Sequence, residues 1–488
     1  MQKKYLQDEL ARLQQVIHIC EAFPADQIVA GKGFSVNPSL ELLKLHGIGL
    51  TDIALGNEGE PEPGEEMVVV WKQPRSLAVC CRPALANDLL ALKLIHEAID
   101  LTQAASESGV TVGAVEAVLF QAVEDGLILR APSLLRRDQE AFRKAFPDEE
   151  FRSTPVFTLQ WHVTQACDLH CKHCYDRSDR VMLPFDKALG VLDDTHRFCQ
   201  QNNVLGQITF TGGNPLMYPR FKDLYQAAAD RGFMLAILGN PTSASIIDEI
   251  IAVQQPEFYQ VSLEGLEAHN DDIRGEGHYQ RIMDFLKILQ QKQIYSMVML
   301  TLTQANYQQV IPLAEQLRGK TDLFVFNRLT MFGEGAALKP IETAVYEDFL
   351  NRYQEAAKDN PVMAFKDNLF NRINHCAHDS LFGGCAGFGC GAAFNFVSLL
   401  PDGEVHACRK FPSFIGNIFD TPMQDIYQSE KAKKYRAGSA ACANCSIKIA
   451  CRGCMAVVAG HGLDPFVDMD PYCPGIVSME DVDGESNS

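Results

Sequence analysis

From Val156 onward, short apolar runs rich in β-formers recur about every thirty residues: Val156 to Thr164, Gln207 to Thr211, Leu235 to Leu238, Tyr259 to Leu263, Ser296 to Thr303 and Leu323 to Leu329. Stretches of helical periodicity lie between them. In one, Leu189, Leu192, His196 and Cys199 follow an i, i+3, i+7, i+10 spacing that would face a sheet. Six strand-then-helix units of this length predict parallel pairing with right-handed crossovers, an α/β fold closing as a partial (β/α)6 barrel over residues 156–373.

Ahead of the barrel, Met67 to Trp71 and Leu77 to Cys81 read as two strands joined by KQPR, followed by helices near Ala86 to Leu101 and Val112 to Ala122 and a strand in GLILRAP. That order predicts a winged-helix module over residues 61–135. Residues 1–60 read as mostly helical, and Glu140 to Glu150 as a charged connector within a 136–155 linker. From about Asn374, glycines, cysteines and short segments replace helical lengths, so a second module spans 374–476. Its small core would need metal staples. The ending MEDVDGESNS is acidic and polar and predicts a disordered tail over 477–488.

Composition narrows the setting. The chain has 488 residues, 47% hydrophobic and 22% charged, as expected of several globular domains. No run approaches the length of a membrane span, and MQKKYLQDELARLQQ lacks the apolar core of a signal peptide, so a cytoplasmic protein without membrane contact is expected. With 43 Lys plus Arg against 62 Asp plus Glu, the net charge of −19 repels polyanions, so no nucleic-acid partner is expected. Sixteen cysteines in a reducing compartment read as metal or cluster ligands rather than disulfides.

Three unusual segments fall at the C-terminal ends of barrel strands, where such folds build their sites. They are a CxxxCxxC loop of Cys167, Cys171 and Cys174 after the first strand, TGGNP (Thr211 to Pro215) after the second, and SLEG (Ser262 to Gly265) ending the fourth. A [4Fe-4S] cubane normally takes four thiolates, so three leave one iron open to chemistry. A zinc site completed by His170 or His173 is the alternative.

CxxxCxxC followed by an aromatic, here Tyr175, resembles the signature of the radical S-adenosylmethionine (radical SAM) enzymes. That resemblance implies an open iron that chelates the amino and carboxylate groups of SAM. An electron from the cluster then splits SAM into methionine and a 5′-deoxyadenosyl radical. It further implies that Gly212, Gly213 and Asn214 hold the SAM amino group, Asn214 standing where the family usually has Glu and so bringing no charge. Ser262 and Arg274 would hold the SAM carboxylate and ribose. Glu264 and Asn240 are further expected cofactor contacts.

Cys390, Gly403 and Cys408 make a Cx12Gx4C pattern, and Cys442, Cys445 and Cys451 make Cx2Cx5C, followed by Cys454 and Cys473. This resembles the SPASM domain, which carries two auxiliary [4Fe-4S] clusters, three with the first. The family pattern implies one cluster on Cys385, Cys390, Cys408 and Cys454, and another on Cys442, Cys445, Cys451 and Cys473. Two residues separate Cys451 from Cys454 where the family usually has three, which leaves open which cysteine serves which cluster. A zinc ribbon also suits paired CxxC spacing. In the sulfatase-maturing branch an acidic residue after the second cysteine of Cx12Gx4C serves as base; here Arg409 and Lys410 follow Cys408, and no catalytic base is identified. Cys20, Cys80, Cys81, Cys199 and Cys376 read as small buried hydrophobes, with Cys376 bordering the cluster module.

Residues from about 62 to 133 resemble the three-strand, three-helix recognition element of peptide-maturing systems, which holds a leader peptide along a strand edge. A DNA-reading winged helix is the rival, but Leu101 to Leu129 contains Glu107, Glu116 and Glu124 and no Lys or Arg. The segments LGNP, FNRL, CGAAFNFVSLLPDGEVHACRKFP and CANCSIKIACRGC resemble the selenobiotic-type peptide maturases. That implies a radical SAM oxidoreductase acting on a ribosomally made precursor peptide at Cys or selenocysteine, with a reductant such as flavodoxin or ferredoxin. A sulfatase-type maturase and a non-catalytic iron-sulfur or zinc scaffold are the alternatives.

Overall fold

Alternation along one central strand organises the N-terminal third of the chain. A computed structural model describes residues 2–31, 33–57, 59–145, 149–376 and 381–477. Helix α1 (Gln2–Ala22) leads to strands β1 (Phe34–Val36) and β2 (Glu41–Ile48), helix α2 (Leu50–Ala54), and strands β3 (Glu62–Lys72) and β4 (Val79–Pro83). Helices α3 (Ala86–His96), α4 (Leu101–Ser108) and α5 (Val112–Glu124) and strand β5 (Ile128–Arg130) follow. Strands β2, β3 and β4 form an antiparallel meander. Successive strand residues face opposite sides of a sheet. Val68 and Val70 therefore pack with Leu13, Cys20, Leu43 and Leu45, while Val69 and Trp71 pack with Leu92, Leu119 and Ile128.

Three expectations are corrected here. Residues 1–60 carry α1 and α2 but are not a separate helical region: they also supply β1 and β2, and α1 packs on the sheet, so Met1–Pro132 with Asp230–Gly232 is one compact unit. The third strand of the meander is β2, whose alternating burial in ELLKLHGI marks it, whereas the GLILRAP strand β5 pairs with β1 in a separate two-stranded sheet. The helix expected over Ala86 to Leu101 also divides: Ala98 adopts φ 50°, and the Asp100 carboxylate caps α4 by accepting from Gln103 N at 2.9 Å.

The second unit, Ser133–Ala229 with Phe233–Ser488, contains the repeats. Its strands are β6 (Val156–Thr164), β7 (Leu205–Gly212), β8 (Met234–Leu238), β9 (Phe258–Ser262), β10 (Ser296–Leu302) and β11 (Leu323–Arg328). They pair in parallel in sequence order, as the spacing predicts. Helices α6 (Phe185–Gln201), α7 (Phe221–Ala229), α8 (Ala244–Val253), α9 (Glu267–Arg274), α10 (His278–Gln291) and α11 (Val310–Leu317) fill the crossovers. On α6 the buried face is Ala188, Val191, Leu192, Thr195, Phe198 and Cys199, so the expected stripe is rotated and Leu189 and His196 are only half-buried.

After helices α12 (Thr343–Asp359) and α13 (Phe370–Cys376), strand β12 (Phe396–Leu399) adds in parallel to β6, and β13 (Glu404–His406) and β14 (Phe414–Asn417) continue antiparallel into a nine-stranded sheet. Helices α14 (Met423–Gln428), α15 (Glu430–Ala437) and α16 (Met455–Gly460) complete the described chain. The cysteine module has a small cluster of its own in Phe411, Met455 and Ala456, while Val397, Leu399, Val405, Ile415 and Ile426 join the larger cluster that contains Trp161 and Phe210. The presumed linker is packed too, with Phe142 and Phe151 buried against Ile449 and Ala450. The expected tail from 478 onward and the Cys376 side chain lie outside the described residues. No described helix is long and apolar enough to cross a membrane.

Candidate active site

The C-terminal strand ends enclose a cavity of about 420 Å³, and the three flagged segments meet on it. Cys167, Cys171 and Cys174 line one side; Gly212, Gly213, Asn240, Ser262 and Arg274 line the rest, together with Tyr175. The glycine turn is there because a side chain would not fit. A Cβ on Gly213 would lie 2.3 Å from Ala166 O and 2.6 Å from Gln165 O, the backbone that enters the cysteine loop. Gly213 N donates to Thr164 O at 2.9 Å and Asn214 N to Ala166 O at 2.8 Å, so the two loops are laced together.

Two expected cofactor contacts do not line this cavity. The Asn214 amide turns aside, donating to Asp168 Oδ1 at 3.0 Å and accepting from Leu216 N at 3.3 Å. Glu264 is 2% exposed with both oxygens engaged: Oε1 accepts from Arg274 at 2.6 and 2.9 Å, and Oε2 accepts from Thr301 N at 2.8 Å. Burial pushes this carboxyl up, but His173, Arg274 and the Thr301 amide together hold it below the ordinary glutamate range. Glu264 therefore aims Arg274, whose Nη1 ends 3.7 Å from Cys171 Sγ.

Asp168, unmarked by any spacing, gathers the opposite side. It accepts from Asn240 Nδ2 at 2.6 Å, and the same Asn240 nitrogen lies 3.6 Å from Cys167 Sγ. His173 Nε2 lies 3.3 Å from both Arg274 Nη2 and Glu264 Oε1, its buried Nδ1 has no partner among the described residues, and burial lowers its pKa. Tyr175 OH meets His162 Nε2 at 3.2 Å; burial pushes the phenol up to about 12 and the imidazole down to about 3. On the far wall are Arg409, which donates to Thr211 Oγ1 at 3.2 Å, and Lys410.

A second cavity of about 270 Å³ is lined by Cys385, Cys390, Cys408 and Cys454, and a crevice of about 20 Å³ by Cys442, Cys445, Cys451 and Cys473. The eight thiols thus fall into the two sets of four that the resemblance implies. The short CRGC link achieves the division with two consecutive left-handed residues, Arg452 (φ 66°) and Gly453 (φ 58°), which send Cys451 and Cys454 to different cavities. Gly453 is required there, because its Cβ would lie 2.6 Å from that of Asp470. Burial pushes the Cys408 and Cys442 thiols up to about 11 and Cys454 to about 12, so loading a metal centre must displace protons. Among the described residues no three His, Cys, Asp or Glu side chains converge on a point that would hold a single ion. Thiols spread around a cavity suit a multi-iron cluster. Lys366, missed in the sequence, donates to Cys385 O at 2.8 Å on the same cavity. Of the remaining cysteines, Cys20, Cys81 and Cys199 are buried and Cys80 is half-buried.

Comparison with known proteins agrees with this geometry. Residues 161–317 match the radical SAM superfamily and residues 390–455 an iron-sulfur cluster-binding domain, SPASM. The AdoMet-dependent heme synthase of Methanosarcina barkeri is 24% identical over 344 residues, 64% of this chain and 95% of that protein. The mycofactocin maturase MftC of Mycolicibacterium smegmatis is 27% identical over 333 residues, 64% of this chain and 82% of that one. In fold, the chain is similar to Streptococcus suis SuiB, solved with its precursor peptide SuiA, at a TM-score of 0.52 and 16% identity over 84% of this chain and 96% of that one. The non-catalytic scaffold is thereby set aside: the chain is an enzyme in which residues 161–317 match the radical SAM superfamily and residues 390–455 the SPASM iron-sulfur cluster-binding domain.

Proposed function

We propose that this enzyme is a peptide maturase that removes a hydrogen atom from a ribosomally made precursor peptide and thereby drives formation of a new bond. The observation that carries the peptide reading is β4. It ends the β2–β3–β4 meander, and exposed Leu77, Leu85 and Leu90 lie just before and after it in the chain. An open edge beside apolar side chains is what an extended peptide needs in order to add as a further strand. The likeness in fold to SuiB also spans 84% of the chain, more than residues 133–488 supply. A DNA-reading role is disfavoured by the absence of Lys and Arg from Leu101 to Leu129.

In this reading Cys167, Cys171 and Cys174 hold a cluster with one open iron, and the two sets of four thiols hold two more, three in all. With SAM bound, the first cluster supplies a 5′-deoxyadenosyl radical. The chain's own residues position that chemistry. Arg274, fixed by Glu264, presents Nη1 to the Cys171 thiol, and Gly213 lets the strand-two turn approach the cysteine loop. Arg409 and Lys410 occupy the position where a sulfatase-type maturase would place its acidic base, which disfavours that alternative. The finer assignment, a Cys- or selenocysteine-containing peptide modified in the cytoplasm with flavodoxin or ferredoxin as reductant, rests on the segments quoted above.

The test is anaerobic reconstitution with dithionite and SAM, followed by mass spectrometry of candidate peptides. Val79→Pro makes it specific to the peptide reading. Ala78 O accepts from Gln73 N at 2.8 Å inside the ladder, so the next residue turns its N–H to the open edge. The variant is expected to cleave SAM normally but to modify peptide poorly. Unchanged peptide modification would refute edge docking.

A further inference from the structure

Arg137, Lys448 and Arg452 are buried at 4%, 5% and 5% exposure, and all three surround one aromatic ring. Their charged groups lie 5.2, 5.0 and 5.7 Å from the centre of Phe142. Their hydrogen bonds go to main-chain carbonyls: Arg137 Nη2 to Phe388 O at 2.5 Å and Cys390 O at 3.3 Å, Lys448 Nζ to Ala141 O at 2.9 Å, and Arg452 Nη1 to Arg436 O at 2.5 Å. Nε and Nη1 of Arg137 and Nε and Nη2 of Arg452 have no partner among the described residues. Nor does any described carboxylate form an ion pair with the three, as carboxylates do for the equally buried Arg328.

Three like charges gathered around one ring repel one another, and a buried cation without a counter-ion is strongly disfavoured. Arg137 also stacks on Phe394, 3.8 Å from its ring centre, but cation–π attraction to two neutral rings supplies no negative charge and does not offset the repulsion among three buried cations. The missing negative charge is supplied by neighbours already described. Lys448 and Arg452 line the crevice of Cys442, Cys445, Cys451 and Cys473, and Arg137 bonds the carbonyl of Cys390. A cubane held by four thiolates is an anion, and each added electron makes it more so. Nearby cations stabilise the reduced form most and raise its potential.

We propose that Arg137, Lys448 and Arg452 are the counter-charges of the auxiliary clusters and hold the centre ligated by Cys442, Cys445, Cys451 and Cys473 at a raised reduction potential. They are positioning residues, acting through that centre. The proposal rests on the auxiliary-cluster reading of the eight cysteines.

The experiment is an EPR-monitored redox titration of the full reconstituted chain, with iron and sulfide measured in parallel. Arg137→Gln and Arg452→Gln are compared with Arg137→Lys and Arg452→Lys. The Gln variants should lower the midpoint of one auxiliary signal by at least a tenfold change in its reduced-to-oxidised ratio, about 59 mV for a one-electron couple. The Lys variants should hold it near wild type, and the signal that depends on Cys167, Cys171 and Cys174 should not move. Loss of auxiliary iron in the Gln variants alone also supports a charge role. Unmoved midpoints at wild-type iron content overturn the proposal, as does equal iron loss in Gln and Lys variants, because shape rather than charge would then matter. Wild-type protein without auxiliary iron overturns the cluster reading itself, a distinguishable result.

Discussion

Replacing Arg328 with Met tests whether a buried charge clamp ties the barrel to the cysteine module. Arg328 closes β11 at 4% exposure; its Nε donates to Asp367 Oδ2 at 2.7 Å, and Nη1 and Nη2 grip Asp470 at 2.7 and 2.8 Å. Asp470 in turn accepts from the main-chain N–H of the ligand candidate Cys454 at 2.8 Å. Met retains much of the side-chain volume, so most of the loss comes from two carboxylates left without a cation. Removing one partner of a buried pair costs about 3–5 kcal/mol. The N–H groups of Cys454, Tyr472 and Leu369 soften this without supplying positive charge. The sign with pH discriminates charge from packing. In the native protein burial pushes Asp470 up, but Arg328 outweighs it and holds the carboxyl below its ordinary range. That contribution is present above the unfolded pKa of about 3.9 and is lost as pH falls through the folded value. In Arg328→Met burial dominates, Asp470 titrates above its unfolded value, and the deficit is greatest at neutral pH and shrinks on acidification. Trp161, buried in β6, reports unfolding in urea once Trp71, the other of the two tryptophans, is changed to Phe. With a slope of about 3 kcal/mol/M, the midpoint should fall by about 1 M or more at pH 8 and by visibly less at pH 5. A fall of under about 0.3 M, or one that is the same at both pH values, would refute the clamp.

Chemical analysis should find about twelve irons per chain, and joint replacement of Cys167, Cys171 and Cys174 by Ala should remove about four of them and all SAM cleavage. Gly213→Ala should weaken SAM binding at least about tenfold, about 1.4 kcal/mol by calorimetry, because the new Cβ meets backbone carbonyls of the cysteine loop. Glu264→Gln, although it does not line the cavity, should weaken SAM binding by about 10–100-fold by releasing Arg274 from a charge-assisted pair; unchanged affinity would show that Arg274 needs no such aim.

The barrel was legible because each strand is a short apolar run of fixed recurrence, and the site because its three odd segments all close strands that must end on one rim. Strand β2 was missed although ELLKLHGI alternates, since its partner β3 lies beyond an intervening helix and pairing at that range leaves no local signal. That Glu264 and Asn214 stand outside the cavity lining was hidden for a related reason. Their positions in SLEG and TGGNP fix the backbone at the rim, but side-chain direction depends on Arg274 and Asp168, whose approach only the folded chain decides. The division of the eight cysteines followed the family pattern, while the device that accomplishes it, two left-handed residues in CRGC, was not visible as spacing.

Continuity of the sheet gives the proposed reaction its geometry. Because β12 adds directly to β6 and β13 follows it, the Arg409–Lys410 turn is carried back over the barrel rim instead of belonging to a separate lobe. Met299 in the middle of β10 and Asn327 near the end of the adjacent β11, joined by a 2.9 Å contact, border with Lys410 both the three-thiol cavity and the Cys385, Cys390, Cys408 and Cys454 cavity. In the proposed reading, a substrate residue seated on that shared wall would have the three-thiol cavity on one side and the Cys385, Cys390, Cys408 and Cys454 cavity on the other. Lengthening Asn327 to Gln would narrow the passage while leaving every thiol in place. Peptide modification should then fall while SAM cleavage and iron content hold; an equal loss of both activities would mean that the two cavities do not share one substrate.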